Sequence, residues 1–508
     1  MRFRLIFGFI FNLIFVFSSS AFGADYFSKE IRTSKFTLIF DARAVGSLAF
    51  QLDCLAGVVR CEEGVVREFW KGELWGAADD AAISEWARLQ DRYISSGARL
   101  SEISADEALD IGFPLRHNSV SFDKKFRIAA FLAADALEYR RNLSLLMVPE
   151  DVDKVLKIYT RFQGRHLKWW KETGLPQSTE FTKKFIASVE KNKIVELSAQ
   201  IANFYQAEMS ITTPVYFHFF LLPGKSGHSN GEQIENHALV EILEGETADS
   251  RIDVVFHELF HYFFRSAPVK LHAKMVKSFS HSSLTGAVPA YNLLNEVLAT
   301  AFGNGMVAQR IMGKDDFSTY LAKSKSFYND ESIDSVAKAL MPTLQASLEK
   351  KTNLYSDKFL SDYLRITRET LGDTKESPFL YLRTMGAIYD DSLEKDYNLF
   401  SRNIRVGSVV SSSDFDSERT YTHLKDNRSL SGLILITPEK VDQLKKLVPI
   451  IEMKTVLEIQ KKVLVHKSFI YTTKRSANSW IFILVANPGE EARKLLDRLA
   501  SGKSAKEL

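Results

Sequence analysis

The sequence predicts an α+β fold whose N-terminal part is mainly helical. Helix-compatible segments dominate the first 205 residues, strand-like apolar runs occur at 36–40, 214–222 and 237–243, and strands and helices alternate after residue 430. An apolar content of 45% and a charged content of 25% are ordinary for globular protein. The formal net charge of +3 is small and diffuse, so it gives no electrostatic argument for nucleic-acid or membrane binding.

The N-terminus has the composition of a secretory signal peptide. A basic start is followed by the apolar core 5–17 and by small residues that suit cleavage before Ala24. An apolar run of about thirteen residues is short for a membrane span. We therefore expect residues 1–23 to be removed and the mature protein to be secreted or periplasmic, with no stable membrane span. An uncleaved membrane anchor is the alternative.

The exported chain contains only two cysteines, Cys54 and Cys61. Two cysteines cannot supply a four-ligand metal site. In an oxidising compartment a local disulfide that closes a small loop is the natural interpretation. Two free buried thiols are the alternative.

Three parts are predicted after the signal peptide. A mainly helical domain spans 24–205 and either flanks a cleft permanently or acts as a propeptide; we favour the permanent domain because no clear processing site is present. A second domain spans 206–425, and a small α/β unit spans 430–508 as a packing or partner module. The supporting elements are a strand at 36–40, helices at 81–95, 126–141, 152–173 and 181–207, a strand at 433–436, a helix at 438–451, a hairpin of 463–471 with 479–486, and a helix at 488–500.

The most informative pattern is His257-Glu258-Leu-Phe-His261. Two histidines four apart on a helix lie one turn apart and about 40° apart around the axis, so both rings can reach one metal ion. Glu258 points away from that line but can take a proton from a water at the metal. Asp249 and Ser250 precede the apolar, helix-compatible segment as N-caps. A histidine pair satisfied by hydrogen bonds in an ordinary core helix is the alternative.

A catalytic zinc needs a third protein ligand and an open position. A closely following third histidine would require Gly and His where the chain has Phe264 and Ala267, so that pattern fails. His272 and His281 remain possible but stand in no recognisable pattern. Glu296 lies in an apolar-periodic stretch, 290–302, that indicates a second helix.

With these residues the chain resembles the gluzincins, zinc metallopeptidases whose third ligand is a glutamate in a later Asn-Glu-x-x-Ala segment. The resemblance covers roughly residues 210–310 and implies a zincin-like domain in which His257, His261 and Glu296 bind one Zn²⁺ and Glu258 is the general base. It also implies a strand at the sheet edge beside the cleft, where an extended peptide can add as a further strand. An ordinary hairpin is the alternative for 214–243, and His218 and His237 are expected on strand faces.

Two departures from the gluzincin pattern have structural consequences. Thirty-four residues separate His261 from Glu296, which implies an inserted loop around 278–289. Four residues after Glu296, where many gluzincins place an acid that holds a zinc histidine, the chain has Thr300, whose hydroxyl can accept the imidazole N–H less strongly.

The ligand set implies hydrolysis of peptide bonds by a zinc-activated water, with peptide or protein as substrate. A tyrosine or histidine beyond the third ligand is expected to stabilise the oxyanion, and the spacing does not choose among the candidates Tyr355, Tyr363, Tyr381, Tyr389 and His423. Two other functions remain open: a catalytically silent zincin-fold envelope protein that binds zinc or a peptide, and a metal-free scaffold.

Overall fold

The computed structural model describes residues 26–501, apart from 60, 62, 72–74, 97–112, 114–119, 225–229, 325, 327 and 449. The expected signal segment 1–23 lies outside the described residues. The chain forms two compact units. The first contains the described residues up to 96 with Val120–Val195 and Met209–Arg251, and the second contains Phe113, Glu196–Glu208 and Ile252 onwards. Both units combine helices with a mixed sheet, as expected for an α+β fold.

The first unit is built on a five-stranded sheet. Its strands are β1 (Tyr26–Arg32), β2 (Thr37–Arg43), β3 (Val215–Leu221), β4 (Gly231–Ile234) and β5 (His237–Ile242). The spatial order is β1-β2-β3-β5-β4; β2, β3 and β5 are parallel, and both edge strands are antiparallel to their neighbours.

The predicted strands at 214–222 and 237–243 are present as β3 and β5, and the expectation that such a strand lies at the sheet edge is wrong for both. β3 is the central strand, and its side chains are almost all buried because both faces are covered. The hairpin alternative is also wrong, since β3 and β5 are parallel. The short β4, which pairs with β5, forms that edge of the sheet.

Helices of the first unit pack a shared apolar core with this sheet, formed by residues such as Leu48, Trp86 and Phe220. The predicted helix 126–141 is two helices, because Asp135 accepts a hydrogen bond from the Glu138 amide and caps the second. The helices are α1 (Ala44–Leu55), α2 (Glu63–Trp70), α3 (Ala77–Ser96), α4 (Phe122–Leu132), α5 (Ala136–Leu143), α6 (Pro149–Trp169), a π-helical turn (Trp170–Gly174) and α7 (Leu175–Lys191). The next helix, α8 (Ile194–Phe204), carries the chain into the second unit.

A disulfide joins Cys54, at the end of α1, to Cys61, with a Cα–Cα distance of 5.5 Å. This confirms the sequence prediction of a local bridge. The disulfide closes a small loop directly after α1, in which Gly57 adopts a positive φ of 71°. The bridge therefore restrains the end of a helix that is buried along its whole length.

The second unit begins with the helices that carry the predicted metal ligands. They are α9 (Ile252–Arg265), α10 (Val269–Ser280) and α11 (Ala287–Thr300), and α11 continues through a π-helical segment (Ala301–Val307) into α12 (Ala308–Met312). A 3-10 turn (Ala248–Arg251) precedes α9, so Asp249 and Ser250 lie within that turn and are not N-caps. The predicted loop 278–289 is also shorter than expected, because α10 and α11 take both of its ends.

The remaining elements of the second unit are helices and a second five-stranded sheet. The helices are α13 (Lys314–Ser324), α14 (Glu331–Glu349), α15 (Asp357–Leu371), α16 (Pro378–Tyr381), α17 (Glu394–Asn403), α18 (Glu418–Asp426), α19 (Met453–Val463) and α20 (Glu490–Ala500), with 3-10 turns at Gly372–Glu376, Asp391–Leu393 and Pro438–Leu447. The strands are β6 (Thr384–Tyr389), β7 (Ser408–Ser412), β8 (Ser431–Ile436), β9 (Phe469–Ser476) and β10 (Ser479–Val485), in the order β7-β6-β8-β10-β9.

The predicted C-terminal strand, hairpin and final helix correspond to β8, the antiparallel pair β9–β10, and α20. The predicted start of this unit at residue 430 falls inside the sheet, since β6 and β7 precede it, and β6 pairs in parallel with both β7 and β8. Among the described residues, no helix is long and apolar enough to cross a membrane.

Candidate metal centre

The structure brings His257, His261 and Glu296 together. His257 and His261 lie one turn apart on α9, and Glu296 faces them from α11. The two Nε2 atoms are 3.0 Å apart, and the Glu296 carboxylate oxygens lie 3.7 Å from Nε2 of His257 and 3.5 Å from Nε2 of His261. Within the described part of the chain, these three residues form the one group of at least three side chains able to share a metal ion.

These donors fit a zinc ion. Zinc–ligand bonds of about 2.0–2.1 Å in a tetrahedron require neighbouring ligand atoms about 3.3 Å apart, close to the spacings found here. The imidazoles are buried, whereas the Glu296 side chain is 37% exposed, so the group opens toward solvent on the carboxylate side. Two imidazoles and one carboxylate, with an open side, are the donor set of a catalytic zinc site.

Asn304 orients the first histidine. Its Oδ1 is 3.0 Å from Nδ1 of His257, and its Nδ2 donates to the Asp253 carboxylate at 3.0 Å. Because a carboxylate only accepts, the amide must present its oxygen to His257, and Nδ1 of His257 must be the donor. The neutral ring then keeps its lone pair on Nε2, directed at the other two donors.

Thr300, the expected partner of a zinc histidine, does not have that role. Its hydroxyl is fully buried and has no hydrogen-bond partner. Asn304, one turn further along the same segment, makes the contact with His257 instead. The π-helical geometry of Ala301–Val307 begins directly after Thr300, and π segments are frequent at functional sites.

Gly303 lets this π segment approach α9 closely. A Cβ atom at Gly303 would lie 2.8 Å from the Asp253 carbonyl oxygen and 2.8 Å from Cα of His257. Both neighbours are backbone atoms that cannot rotate away. The absence of a side chain at Gly303 is therefore what allows Asn304, the next residue, to reach His257.

Tyr328 contacts both sides of the triad and was missed by the sequence analysis. Its phenol donates to Oε2 of Glu296 at 3.0 Å, and its ring stacks on His257 with a centroid distance of 5.7 Å. Burial, and then the Glu296 carboxylate, raise the pKa of Tyr328, while the nearby guanidinium of Arg405 lowers it in part. The phenol therefore stays protonated and able to donate at neutral pH.

Electrostatics couple the three donors. Burial alone lowers the pKa of His261, but the facing Glu296 carboxylate outweighs it, and Glu258 and Asn295 add to the effect, so the pKa rises to about 9. The pKa of Glu296 falls well below its ordinary value, because its two histidines outweigh the effect of burial. Without metal the site thus holds a proton on His261 opposite an ionised Glu296, and a bound cation would have to displace that proton.

Glu258 lies beside the triad on α9 and is partly buried. Its charge reaches both His261 and Tyr328, since it contributes to the raised pKa of each. Glu258 therefore acts electrostatically on the site from the position next to His257 on α9.

The other sequence candidates lie in different surroundings. His272 is hydrogen-bonded to the Phe264 carbonyl, and His281 is exposed at the end of α10. His218 lies in β3 and His237 in β5, both in the first unit. Nδ1 of His218 is hydrogen-bonded to Asp41, and its Nε2 is hydrogen-bonded to His237.

The tyrosines considered for the oxyanion are mostly engaged in packing. Tyr363 donates to the Ala290 carbonyl, Tyr389 stacks on another tyrosine, and the ring of Tyr355 packs against His272. Tyr381 is fully buried in the core around the second sheet, and His423 lies in α18. The tyrosine that touches the triad is Tyr328.

Comparisons with protein-family models, with curated proteins and with solved structures found no match to this chain. The functional interpretation therefore depends on the motif and on the geometry of the site.

Proposed function

We propose that this protein is an exported zinc metallopeptidase with a zincin-like catalytic domain. The observation that carries the proposal is the convergence of His257, His261 and Glu296, with Glu258 beside them on the same helix as His257. One Zn²⁺ held by these three would supply Lewis acidity, which acidifies a water molecule and polarises a peptide carbonyl.

The residues around the site suit the proton transfers of peptide hydrolysis. Glu258 takes the proton of the attacking water and then passes it to the leaving amine. Tyr328, which is a protonated donor facing the Glu296 carboxylate, donates a hydrogen bond to the developing oxyanion. Asn304 and Asp253 keep the Nε2 lone pair of His257 directed at the metal position.

Export is supported by two features. The N-terminus has a signal-peptide composition, and the Cys54–Cys61 disulfide suits an oxidising compartment.

The choice of zinc is supported by the donor set of two imidazoles and one carboxylate. The partly exposed Glu296 leaves the metal position accessible to a substrate.

The test compares hydrolysis of a mixed peptide library by the zinc-supplemented mature chain and by its Glu258→Gln variant. We expect the variant to lose about 10²–10⁴-fold in rate, as for loss of a general base, while zinc content stays the same. Glu369→Gln, an exposed carboxylate on α15, is the matched control and should cleave like the parent chain. Zinc binding without cleavage by the parent chain would refute the peptidase and favour a silent zinc- or peptide-binding protein.

A further inference from the structure

Arg405 is an exposed cation beside the metal centre. Its guanidinium carbon lies 5.4 Å from the ring centroid of Tyr328, and its Nη2 donates to Oδ1 of Asn329 at 2.6 Å. Asn329 is neutral. Arg383, by contrast, is buried and forms an ion pair with Asp330. Among the residues that the structure describes, no carboxylate lies within ion-pair distance of Arg405, so its charge is available to an incoming anion.

The guanidinium lies within substrate range of the triad. The Tyr328 ring is 5.7 Å from the His257 ring and 5.4 Å from the guanidinium carbon of Arg405. The guanidinium therefore lies no further than about 11 Å from the His257 ring, a length spanned by about three residues of extended peptide. A peptide with its scissile bond at the metal position can present a carboxylate to Arg405 from a nearby residue.

The backbone conformation at Arg405 is one that favours glycine over arginine. Arg405 follows α17 with a φ of 51°, and the Val406 amide donates back to the Ser401 carbonyl at 3.2 Å, which is the pattern of a helix C-terminus with a left-handed residue. Glycine suits that position best, because a Cβ atom disfavours the left-handed region. An arginine there works against the local backbone preference, while its guanidinium lies next to the site.

We infer that Arg405 binds a carboxylate of the peptide substrate and gives the enzyme a preference for peptides with an acidic group within about three residues of the scissile bond. This inference rests on the proposed peptidase function. The carboxylate belongs either to an aspartate or glutamate side chain or to the C-terminus of the substrate. Both sources present the same planar anion to the guanidinium fork.

The experiment uses four heptapeptides with one central sequence, carrying Glu or Gln three residues or fewer from the scissile bond and ending in a free carboxylate or an amide. Their binding to the full mature chain in the Glu258→Gln background is measured by fluorescence anisotropy, with and without zinc. Cleavage by the chain with intact Glu258 gives kcat/KM for each peptide. The variants are Arg405→Gly, which suits the left-handed backbone, and Arg402→Ala, an exposed arginine on α17 as the control.

We expect one carboxylate, in the side chain or at the C-terminus, to tighten binding by about tenfold, the scale of a hydrogen bond to a charged group. Arg405→Gly should abolish that preference without lowering the melting temperature, and Arg402→Ala should leave it unchanged. The pair of peptides that shows the preference identifies the source of the carboxylate.

Equal binding of all four peptides, no binding of any, or a preference that survives Arg405→Gly would overturn the inference. The proposed function fails on a different result, which is absence of cleavage by the chain with intact Glu258. A carboxylate preference in binding without any cleavage would therefore support the role of Arg405 while refuting the peptidase.

Discussion

Replacing Asn304 by leucine removes the amide that links His257 to Asp253. The amide makes two hydrogen bonds of 3.0 Å each, so the variant leaves the Nδ1–H of His257 without its acceptor and one bond of Asp253 unmade. Loss of a partner of this kind weakens metal affinity by about 10–100-fold, or about 1.4–2.7 kcal/mol. Because Asn304 is almost completely buried, water cannot easily replace it.

The assay is a competitive zinc titration of the mature chain against a chromophoric chelator. Thr300→Val is the matched control, because the Thr300 hydroxyl is buried without a partner and valine has nearly the same shape. We expect unchanged zinc affinity and equal or slightly higher stability for Thr300→Val, since it removes an unpaired buried polar group. Zinc affinity that falls in Thr300→Val and stays unchanged in Asn304→Leu would refute the account of how His257 is oriented.

Three further predictions concern the same centre. Tyr328→Phe should lower kcat at saturating zinc by about 10²-fold, because it removes the oxyanion donor, and it should also weaken zinc binding, because Glu296 loses the phenol hydrogen bond; an unchanged kcat at saturating zinc would contradict the oxyanion role. Gly303→Ala should destabilise the fold by about 1–3 kcal/mol in urea denaturation and weaken zinc binding, because its Cβ meets the backbone at His257, whereas Gly164→Ala, with open space around it, should be neutral or stabilising. The pKa of His261 is raised to about 9, so in the metal-free chain its contribution to stability is fully present below pH 6.5 and is lost as the pH rises through 9. Apparent zinc affinity should accordingly keep rising with pH up to about 9; a plateau from pH 7 would contradict the raised pKa.

The two histidines could be grouped from the sequence because a local rule governs them. His257 and His261 are one turn apart on a helix, and any regular helix places them on one side. Glu296 was assigned through a short motif on a second apolar helix. The histidine pair depends on helical periodicity, which a single sequence shows clearly, whereas the link to Glu296 depended on the gluzincin resemblance.

The supporting residues could not be predicted, because tertiary contacts decide them. Asn304 reaches His257 through a π-helical segment and a glycine contact, whereas the expected spacing of four residues pointed to Thr300. Tyr328 and Arg405 come from two separate loops, and no periodicity relates them to the triad.

In the fold, too, features set by local sequence patterns could be predicted, whereas features set by tertiary contacts could not. The continuous apolar runs of β3 and β5 were recognised as strands. Their sequence does not show that β3 is the central strand or that β4 forms the edge beside β5. β6 and β7 were missed, although β6 is as long as the predicted β8; β7 is shorter and mostly polar. Gly386 weakens the strand pattern of β6, although it is needed there because a Cβ atom would lie 2.5 Å from the Leu424 side chain.

X-ray absorption spectroscopy of the zinc-loaded mature chain tests most directly whether His257, His261 and Glu296 hold one zinc ion. We expect one zinc per chain, with two imidazole nitrogens at about 2.0–2.1 Å and oxygen ligands at about 2.0–2.2 Å. The imidazole signal should halve in His261→Ala. A chain that retains no zinc, or a spectrum without imidazole scattering, would contradict the account.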